Sequence, residues 1–447
     1  MKEMHYEVVV VGGGISGSAL VYLLSRYTNI KSIALVEKYE GVSTLNSKGT
    51  GNSQTIHSGD IETNYTYEKA RKIKKIADMI VKYGLQYGYN EKFMFKHQKF
   101  AMGVGEEEVE TIKQRYGELK KIYPYLEFYD KDKLKQIEPR VVFDENSNVR
   151  KDNIAGIGTL DGAYTTVDYG AMSNSFIDNA KKENSKQVDV YLNSEVKRIN
   201  QVGDKFYINT INNLSISADF VVVNAGAHSL YLAHKMGYGT DMGTLPMAGS
   251  YYLTKKKLLN GKVYMMQNPK LPFAALHGDP DILADGCTRF GPTALPMPKL
   301  ERFHGSKSIL EAVSSLNFGM DTMSVFWDLL KDSDIRNYLF RNIAFEVPIL
   351  GKKLFVKDAR KIVPSLREDD IYYAKGFGGI RPQVVDKKNK TLMFGEASID
   401  TKRGIIFNMT PSPGATSCLG NGVKDTKKVC EFLNRTFDES KFETELG

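Results

Sequence analysis

Residues 8–17 read VVVVGGGISG, and residues 33–37 read IALVE. The four valines are typical of a strand that is covered on both faces. Gly12, Gly14 and Gly17 follow with G-x-G-x-x-G spacing. The first glycine permits a tight turn, the second lets a pyrophosphate approach backbone N–H groups, and the third lets a helix pack closely on the sheet. The order of strand, glycines, helix, strand and acid predicts a βαβ unit that binds a dinucleotide.

A helix is predicted over residues 15–27 and a second parallel strand over residues 32–36. The positive N-terminal end of the helix is expected to point at the phosphates of the ligand. Glu37 stands at the carboxyl end of the second strand, where an acid accepts hydrogen bonds from ribose hydroxyls and disfavours a ribose phosphate. An ordinary strand-to-helix turn is the alternative interpretation, and the fingerprint alone does not separate NAD from FAD.

Two distant segments favour FAD, because an embedded FAD is usually enclosed by widely separated parts of a chain. Residues 218–227 are predicted to form a buried strand ending in small residues, as needed where a backbone passes close to a cofactor. Residues 404–417 are predicted to form a strand, a turn and the start of a helix whose N-terminus stabilises negative charge on a reduced flavin. Ordinary sheet packing is the alternative for each segment alone. The candidate cofactor-binding residues here are Ala225, Gly226, Gly414, Ala415 and Thr416.

At 447 residues, of which 42% are hydrophobic, the chain is too long for one core, so two connected domains are expected. No linker or repeat separates consecutive domains, and the prediction is an interleaved α/β architecture. A Rossmann-like FAD-binding domain is formed by residues 1–82, 158–230 and 372–447, and an α+β substrate domain built on an antiparallel sheet is formed by residues 83–157 and 231–371. Helices are expected within residues 64–83, 106–122 and 308–340, and strands within residues 188–216, 247–258 and 271–284.

Charge, cysteines and targeting signals limit the partners. The net charge of +8 is spread along the chain, which suits an acidic substrate or an anionic lipid surface and argues against nucleic acid. Three cysteines lie far apart without a histidine ligand set, so no metal site is expected. The sequence shows neither a signal peptide nor an apolar run of membrane-spanning length, so we expect a cytoplasmic protein.

Residues 326–341 and 349–357 mix apolar and basic residues, and they include Trp327, the only tryptophan. This composition suits an interfacial surface on anionic lipid. Amphipathic packing with a solvated basic face is the more frequent origin of such a pattern, and the sequence leaves both interpretations open.

Five segments resemble the signature segments of malate:quinone oxidoreductases, in the family's order along nearly the whole chain. They are GTGNS at 49–53, ETNYT at 62–66, RFGP at 289–292, RPQV at 381–384 and SPGA at 412–415. The resemblance implies a FAD-dependent, peripheral enzyme on the inner face of the cytoplasmic membrane. Such an enzyme oxidises L-malate to oxaloacetate in the tricarboxylic acid cycle and passes the electrons to quinone.

One loop departs from the family pattern. Residues 52–59, NSQTIHSG, are closer to the corresponding loop of L-2-hydroxyglutarate dehydrogenases, which belong to the same wider superfamily. Another L-2-hydroxy acid is therefore the alternative substrate. Ser53, in the same loop, is a further candidate for cofactor binding.

Oxidation of a secondary alcohol requires a hydride acceptor, a base for the hydroxyl proton and cations for the carboxylates. Flavin N5 is the predicted acceptor. Arg381 follows two glycines and an isoleucine and is the candidate clamp, because a guanidinium binds a carboxylate bidentately. In the superfamily that the chain resembles, the arginine of this segment binds the substrate carboxylate. A structural salt bridge is the alternative.

Two histidines are candidates for the base, since imidazole titrates near working pH. His277 is favoured because it ends an apolar strand and precedes Asp279, which would orient it. His57 lies in the loop expected near the flavin. A tyrosine base, or histidines that are only structural, are the remaining alternatives.

A malate dianion is expected to need a second cation, because burying an unpaired carboxylate is costly. Arg289 is the candidate, with an ordinary cross-strand ion pair as an equal alternative. Tyr252 and its neighbour Tyr251 are candidate hydrogen-bond donors to the substrate. Alternation along a strand turns only one of the two inward.

Overall fold

The βαβ unit predicted from the glycine fingerprint is present in the computed structural model of the protein. Strand β1 (Met4–Val11) runs parallel to β2 (Ser32–Val36), and helix α1 (Ile15–Tyr27) connects them. The valines at 8–11 are buried, as a strand covered on both faces requires. The predicted bounds of the helix and of the second strand are confirmed.

The structure describes residues 4–267, 275–316, 324, 327, 330–347, 349–393, 396–409 and 414–447. Three predictions fall partly outside these residues. They are the beginning of the strand expected within 271–284, the middle of the helical stretch 308–340 with much of the expected membrane segment, and the turn at 410–413.

The strands of the described residues are β1 (Met4–Val11), β2 (Ser32–Val36), β3 (Met94–Phe95), β4 (Lys99–Val104), β5 (Glu127–Tyr129), β6 (Ile154–Thr159), β7 (Thr166–Val167), β8 (Gln187–Tyr191), β9 (Val196–Val202), β10 (Lys205–Thr210), β11 (Ser215–Val223), β12 (Met242–Ala248), β13 (Tyr252–Thr254), β14 (Lys262–Met265), β15 (His277–Pro280), β16 (Thr288–Gly291), β17 (Leu295–Pro296), β18 (Ile371–Tyr373), β19 (Ile380–Asp386), β20 (Thr391–Met393), β21 (Ala397–Asp400) and β22 (Ile405–Met409).

The helices of the same ranges are α1 (Ile15–Tyr27), α2 (Tyr67–Gln86), α3 (Glu106–Leu119), α4 (Lys131–Ile137), α5 (Tyr169–Lys181), α6 (His228–Lys235), α7 (Lys307–Leu316), α8 (Ser333–Phe345), α9 (Leu350–Ala359), α10 (Cys418–Phe432) and α11 (Glu439–Glu445). Short 3-10 turns occupy Gly49–Gly51, Pro139–Val141 and Glu368–Asp370.

The first sheet has the strand order β21-β22-β11-β1-β2-β8, and the hairpin β9–β10 joins it at β11. Strand β1 lies between β2 and β11 and is parallel to both. Helix α1 packs against α5 and α10. The carboxyl ends of these parallel strands therefore meet beside the N-terminus of α1, which is where open α/β sheets bind ligands.

Two other sheets of the described residues form a second layer. The larger has the order β18-β13-β16-β15-β14-β4-β6-β5, and its pairs are antiparallel except for β14–β4. The smaller is antiparallel, with the order β17-β12-β19-β20. The predicted fold class, a Rossmann-like domain combined with an α+β domain on an antiparallel sheet, is confirmed.

The division of the chain into two domains stays a prediction. Strand β19 belongs to the segment assigned to the first domain, and β12 belongs to a segment assigned to the second. The two strands pair, with Arg381 opposite Met247.

Other predicted helices are present with shifted ends. Residues 64–83 correspond to α2, which begins at Tyr67 because the Thr66 hydroxyl accepts a hydrogen bond from the N–H of Lys69. Residues 106–122 correspond to α3, which ends at Leu119. Within the described part of the chain, no helix has the length and apolar composition needed to cross a membrane.

Gly17 marks the point where α1 approaches β1, since a Cβ atom there would lie 1.9 Å from the carbonyl oxygen of Gly12. We expect Gly17→Ala to lower the free energy of unfolding by about 1–3 kcal/mol or more, because overpacking displaces the backbone. Gly117, inside α3, is the matched control because a Cβ atom there meets nothing within 4 Å. Gly117→Ala should instead stabilise the protein by about 0.5–1 kcal/mol. Thermal unfolding measures both effects, and a Gly17→Ala protein as stable as the wild type would contradict this packing.

Candidate active site

A large cleft opens at the carboxyl ends of β1, β2 and β11. It contains about 1750 Å³ of empty space, part of it open to solvent. Its walls also include parts of residues 43–57, the start of β19 and residues 414–416. Segments that are far apart in sequence therefore enclose one site, which suits a large, elongated ligand.

The fingerprint glycines shape one end of the cleft. Gly12 has φ +104°, and a Cβ atom there would lie 2.4 Å from the carbonyl oxygen of Asn224, so the turn requires glycine. Gly14 is the N-cap residue of α1, and both glycines line the cleft. The N-terminus of α1 carries its partial positive charge into this space, which favours a phosphate.

Glu37 lies at the same end of the cleft. Its carboxylate oxygens accept hydrogen bonds from the N–H groups of Gly13 (2.6 Å) and Tyr39 (2.9 Å). Burial raises the pKa of Glu37, and these backbone hydrogen bonds oppose the shift. A carboxylate has about four acceptor positions, so capacity remains for the hydroxyls of a ribose.

Three further parts of the chain line the cleft. Ala225 and Gly226 follow β11, and Gly226 has φ +57° with open space where a Cβ atom would project. The Thr416 hydroxyl accepts a hydrogen bond from the N–H of His57 (3.1 Å) and lies 2.8 Å from the Tyr169 hydroxyl. The other predicted cofactor-binding residues that line the cleft are Ser53, Gly414 and Ala415.

His57 lines the cleft, and Glu62 holds its ring. His57 Nδ1 lies 2.6 Å from Glu62 Oε1, and Nε2 lies 3.3 Å from Ser53 Oγ. Burial alone would raise the pKa of Glu62, but the hydrogen bond and charge of His57, with the charge of Lys99, leave it lowered. An ionised carboxylate only accepts hydrogen bonds. In neutral His57, Nδ1 therefore carries the proton and Nε2 presents a lone pair.

Arg381 and Tyr251 line the same cleft. Among the described residues, no hydrogen bond or ion pair engages the Arg381 guanidinium. The Tyr251 hydroxyl is buried and has no hydrogen-bond partner within the part of the chain that the structure describes. Burial raises the pKa of Tyr251, against the positive charges of Arg289 and Arg381. An unpaired cation and an unsatisfied hydroxyl in one cleft are suited to binding a carboxylate.

His277 lies outside the lining of the cleft. Its side chain is buried, and its ring stacks on Tyr264 with 4.3 Å between centroids. Its Nε2 lies 3.7 Å from Asp279 Oδ1 and has no hydrogen-bond partner among the described residues. Burial lowers the pKa of His277 to about 3. The attraction of Asp279 opposes this shift, and the charges of Arg289 and Lys262 add to it. His277 is therefore neutral at ordinary pH.

Arg289 is fully buried, and two carboxylates bind its guanidinium. Its Nη2 lies 2.9 Å from Asp279 Oδ2, and its Nη1 lies 3.1 Å from Asp281 Oδ2. Lys262 Nζ lies 3.0 Å from Asp279 Oδ2. Two cations thus face two anions in one buried cluster. These contacts favour a structural role for Arg289 over binding of a substrate carboxylate.

Of the two adjacent tyrosines, Tyr251 faces the cleft and Tyr252 packs in the second layer. The Tyr252 hydroxyl donates a hydrogen bond to the Phe345 carbonyl oxygen (3.0 Å), and its ring stacks on Phe355 with 4.3 Å between centroids. Tyr251 is therefore the better candidate for a substrate contact.

Sequence reasoning misses Glu62 as a partner of the candidate base. Its position five residues after His57, within the signature ETNYT, is the signal that could have found it.

The cleft and the two layers define a protein that combines a Rossmann-like dinucleotide-binding fold with a layer of antiparallel sheet. Residues 4–443 match the family model of malate:quinone oxidoreductase. A probable malate:quinone oxidoreductase of Campylobacter jejuni is 59% identical over 448 residues, which cover both chains completely. The malate:quinone oxidoreductase of Helicobacter pylori strain 26695 is 45% identical over 100% of this chain and 98% of its own. The chain belongs to the malate:quinone oxidoreductase family, which confirms the resemblance carried by the motifs.

Solved structures share the fold at lower identity. A glycine oxidase from Geobacillus kaustophilus superposes with a TM-score of 0.64 at 14% identity, over 96% of this chain and 95% of its own. An L-α-glycerophosphate oxidase from Mycoplasma pneumoniae, with FAD bound, superposes with a TM-score of 0.63 at 20% identity, over 97% and 96%. Both superpositions extend over nearly the whole of each chain, in agreement with the predicted fold class.

Proposed function

We propose that the protein uses FAD to oxidise L-malate to oxaloacetate and passes the electrons to a membrane quinone, as a step of the tricarboxylic acid cycle. We place it at the inner face of the cytoplasmic membrane. Membership of the family supports the reaction. The observation that carries the site is the unpaired Arg381 in the same cleft as the His57–Glu62 pair.

The residues that line the cleft fit FAD. Gly12 and Gly14 leave the backbone open to a pyrophosphate, and Glu37 retains acceptor capacity for a ribose. Gly226 leaves free space at the cleft wall, where a side chain would otherwise project. When bound, FAD supplies the hydride acceptor, its ring atom N5.

Arg381 is the residue that we assign to the substrate carboxylate next to the reacting carbon. Its guanidinium offers two parallel N–H donors, and no protein carboxylate among the described residues competes for them. Tyr251 is assigned as a donor to the distal carboxylate, because its hydroxyl has no hydrogen-bond partner among the described residues. With both contacts made, the hydroxyl group of the substrate is held in one orientation.

His57 is the base that the geometry favours over His277. Glu62 fixes the proton on Nδ1, so Nε2 is free to take the hydroxyl proton of the substrate. The imidazolium that forms faces the buried carboxylate of Glu62, which stabilises its charge. His277 is less suitable because it lies outside the cleft lining and protonates only near pH 3.

The reaction is tested by anaerobic mixing of the purified protein with L-malate, D-malate, L-lactate and L-2-hydroxyglutarate while flavin absorbance is followed. We expect L-malate to bleach the flavin fastest, a quinone analogue to restore its colour, and denaturation to release FAD. Faster bleaching by L-2-hydroxyglutarate would assign the alternative substrate. A protein that none of the four acids reduces would not be the proposed enzyme.

Arg381→Lys keeps the charge but removes the bidentate fork. Loss of one charged hydrogen bond, about 1.5–3 kcal/mol, predicts a fall in kcat/KM for L-malate of roughly tenfold to a hundredfold. Arg435→Lys is the matched control, because Arg435 forms an exposed ion pair with Glu7 at 2.6 Å. An Arg381→Lys enzyme with unchanged kcat/KM would show that Arg381 does not bind the substrate.

Rapid-mixing reduction of two histidine variants distinguishes the candidate bases. We expect His57→Ala to slow flavin reduction by about 10²–10⁴-fold with FAD retained, and His277→Ala to have little effect. The pH profile gives an independent test. Base catalysis by His277, with its pKa of about 3, predicts a rate that is constant over the physiological range. A rate that changes with pH over that range would therefore count against His277 as the base.

Glu62→Gln separates positioning of His57 from a purely structural role. Without the anionic partner, the imidazolium that forms on His57 is less stabilised, so flavin reduction should slow while FAD stays bound. A Glu62→Gln or His57→Ala enzyme that is as fast as the wild type would remove the pair from the mechanism.

A further inference from the structure

We propose that the exposed end of the helical hairpin α8–α9 is the surface by which the protein docks on an anionic lipid bilayer. This inference rests on the proposed function, because an apolar quinone is reached at a membrane. We name this surface the docking tip and define it by Phe340, Ile343, Val347, Ile349 and Leu350.

The apolar side chains of the docking tip are exposed to solvent, Ile349 by 90% and Phe340 by 62%. Phe340 and Ile343 are three positions apart and share one face of α8. The other three follow where the chain turns from α8 to α9. Single exposed apolar residues are ordinary, whereas a contiguous group at one turn marks an interaction site.

The backbone at Ile349 supports a functional role for this turn. Ile349 has φ +67° and ψ −61°, a conformation that β-branched residues rarely adopt. Glycine would relieve the cost. Since the side chain is almost fully exposed, it contributes little to the core, and burial against a partner accounts for an apolar residue at this position.

Basic residues around the docking tip select anionic lipid as the partner. Residues 330–360 contain seven basic and four acidic residues. Lys352, Lys353 and Lys357 of α9 have no ion-pair partner among the described residues, whereas Arg341 pairs with Asp358. Unpaired lysines beside exposed apolar side chains are typical of interfacial binding to anionic headgroups.

The hairpin has a second face that anchors it to the protein. Phe345 of α8 and Phe355 of α9 are buried and pack edge to face, with 5.4 Å between ring centroids. The sequence leaves two interpretations of this stretch open, amphipathic packing and binding to a lipid surface, and each therefore applies to one face of the hairpin. One face packs on the second layer, and the other is the docking tip.

The docking tip lies close to the cleft along a short series of contacts. Glu346, which directly precedes Val347, accepts a hydrogen bond from Ser250 Oγ at 2.7 Å. Ser250 directly precedes Tyr251, which lines the cleft. A protein docked by this tip therefore holds the candidate active site next to the bilayer, where an apolar electron acceptor resides.

The test measures co-sedimentation of the full-length holoenzyme with vesicles. Phosphatidylcholine vesicles that contain phosphatidylglycerol are compared with phosphatidylcholine alone. We expect binding to the anionic vesicles, and Ile349→Asn or Leu350→Gln should each weaken it by about tenfold to a hundredfold, because each removes a buried apolar side chain. Val202→Asn is the matched control, since Val202 of β9 is 64% exposed on the first sheet.

The contribution of the lysines to vesicle binding is tested with two double variants. Lys352→Gln with Lys353→Gln should weaken binding to anionic vesicles by about fivefold for each lysine and leave neutral vesicles unaffected. Lys72→Gln with Lys75→Gln, on the exposed face of α2, is the control and should leave binding unchanged. Equal losses in both double variants would show that overall charge, and not the docking tip, attracts the vesicles.

Malate oxidation with a water-soluble dye is measured for every protein, so that failure of the surface and failure of the function are distinguishable. If the wild-type protein reduces the dye, and the Ile349→Asn and Leu350→Gln variants bind vesicles as well as the wild type does, the proposed docking surface alone is contradicted. The same conclusion follows if the wild-type protein reduces the dye, does not bind vesicles and self-associates through this face. Vesicle binding that depends on the tip in a protein inactive with L-malate would support the surface and contradict the proposed reaction.

Discussion

A buried ion cluster in the second layer sets the position of the loop that carries His57. Asp279 of β15 binds Lys262 of β14 and Arg289 of β16. Lys262 Nζ also donates a hydrogen bond to the carbonyl oxygen of Ser53, at 3.1 Å, four residues before His57. Removing one member of such a cluster leaves an uncompensated buried charge, at a cost of about 3–5 kcal/mol. The cluster therefore ties a loop of the dinucleotide-binding part to the antiparallel layer and fixes where the candidate base meets the cleft.

This arrangement explains why the sequence favours His277. A histidine beside an aspartate, with an arginine on the next strand, has the composition of a catalytic site. The types of residues in these segments show which chemical groups are present, but they do not show which side of a strand borders the cleft. Strands β15 and β16 turn Asp279 and Arg289 towards each other in the interior, whereas His57 reaches the cleft from a loop without periodicity.

The fold is predictable where its causes are local. The close approach of Gly17 to Gly12 and the cap at Thr66 each depend on a few neighbouring residues, so the positions of α1, β2 and α2 follow from the sequence. The candidate site depends on distant partners. Ser53 and Lys262 are 209 residues apart, and no pattern within either segment indicates their contact. The fingerprint glycines and Glu37 are predictable as candidate cofactor-binding residues because a motif encodes them. Glu62, the partner of the candidate base, is not predictable in this way because its contact with His57 arises from the path of a loop.

Selectivity among 2-hydroxy acids has to arise away from Arg381, because a guanidinium recognises the carboxylate that all of them carry. Malate and 2-hydroxyglutarate differ by one methylene, and a pocket discriminates such a difference by only about 10–200-fold through packing. Arg289 is neutralised by Asp279 and Asp281. Tyr251 is left on the wall of the cleft with an unsatisfied hydroxyl. The proposed hydrogen bond from Tyr251 to the distal carboxylate would form only with a substrate of matching length, and a buried donor without its partner costs more free energy than a methylene gains. The choice of substrate is therefore expected to depend on the distance between Arg381 and Tyr251.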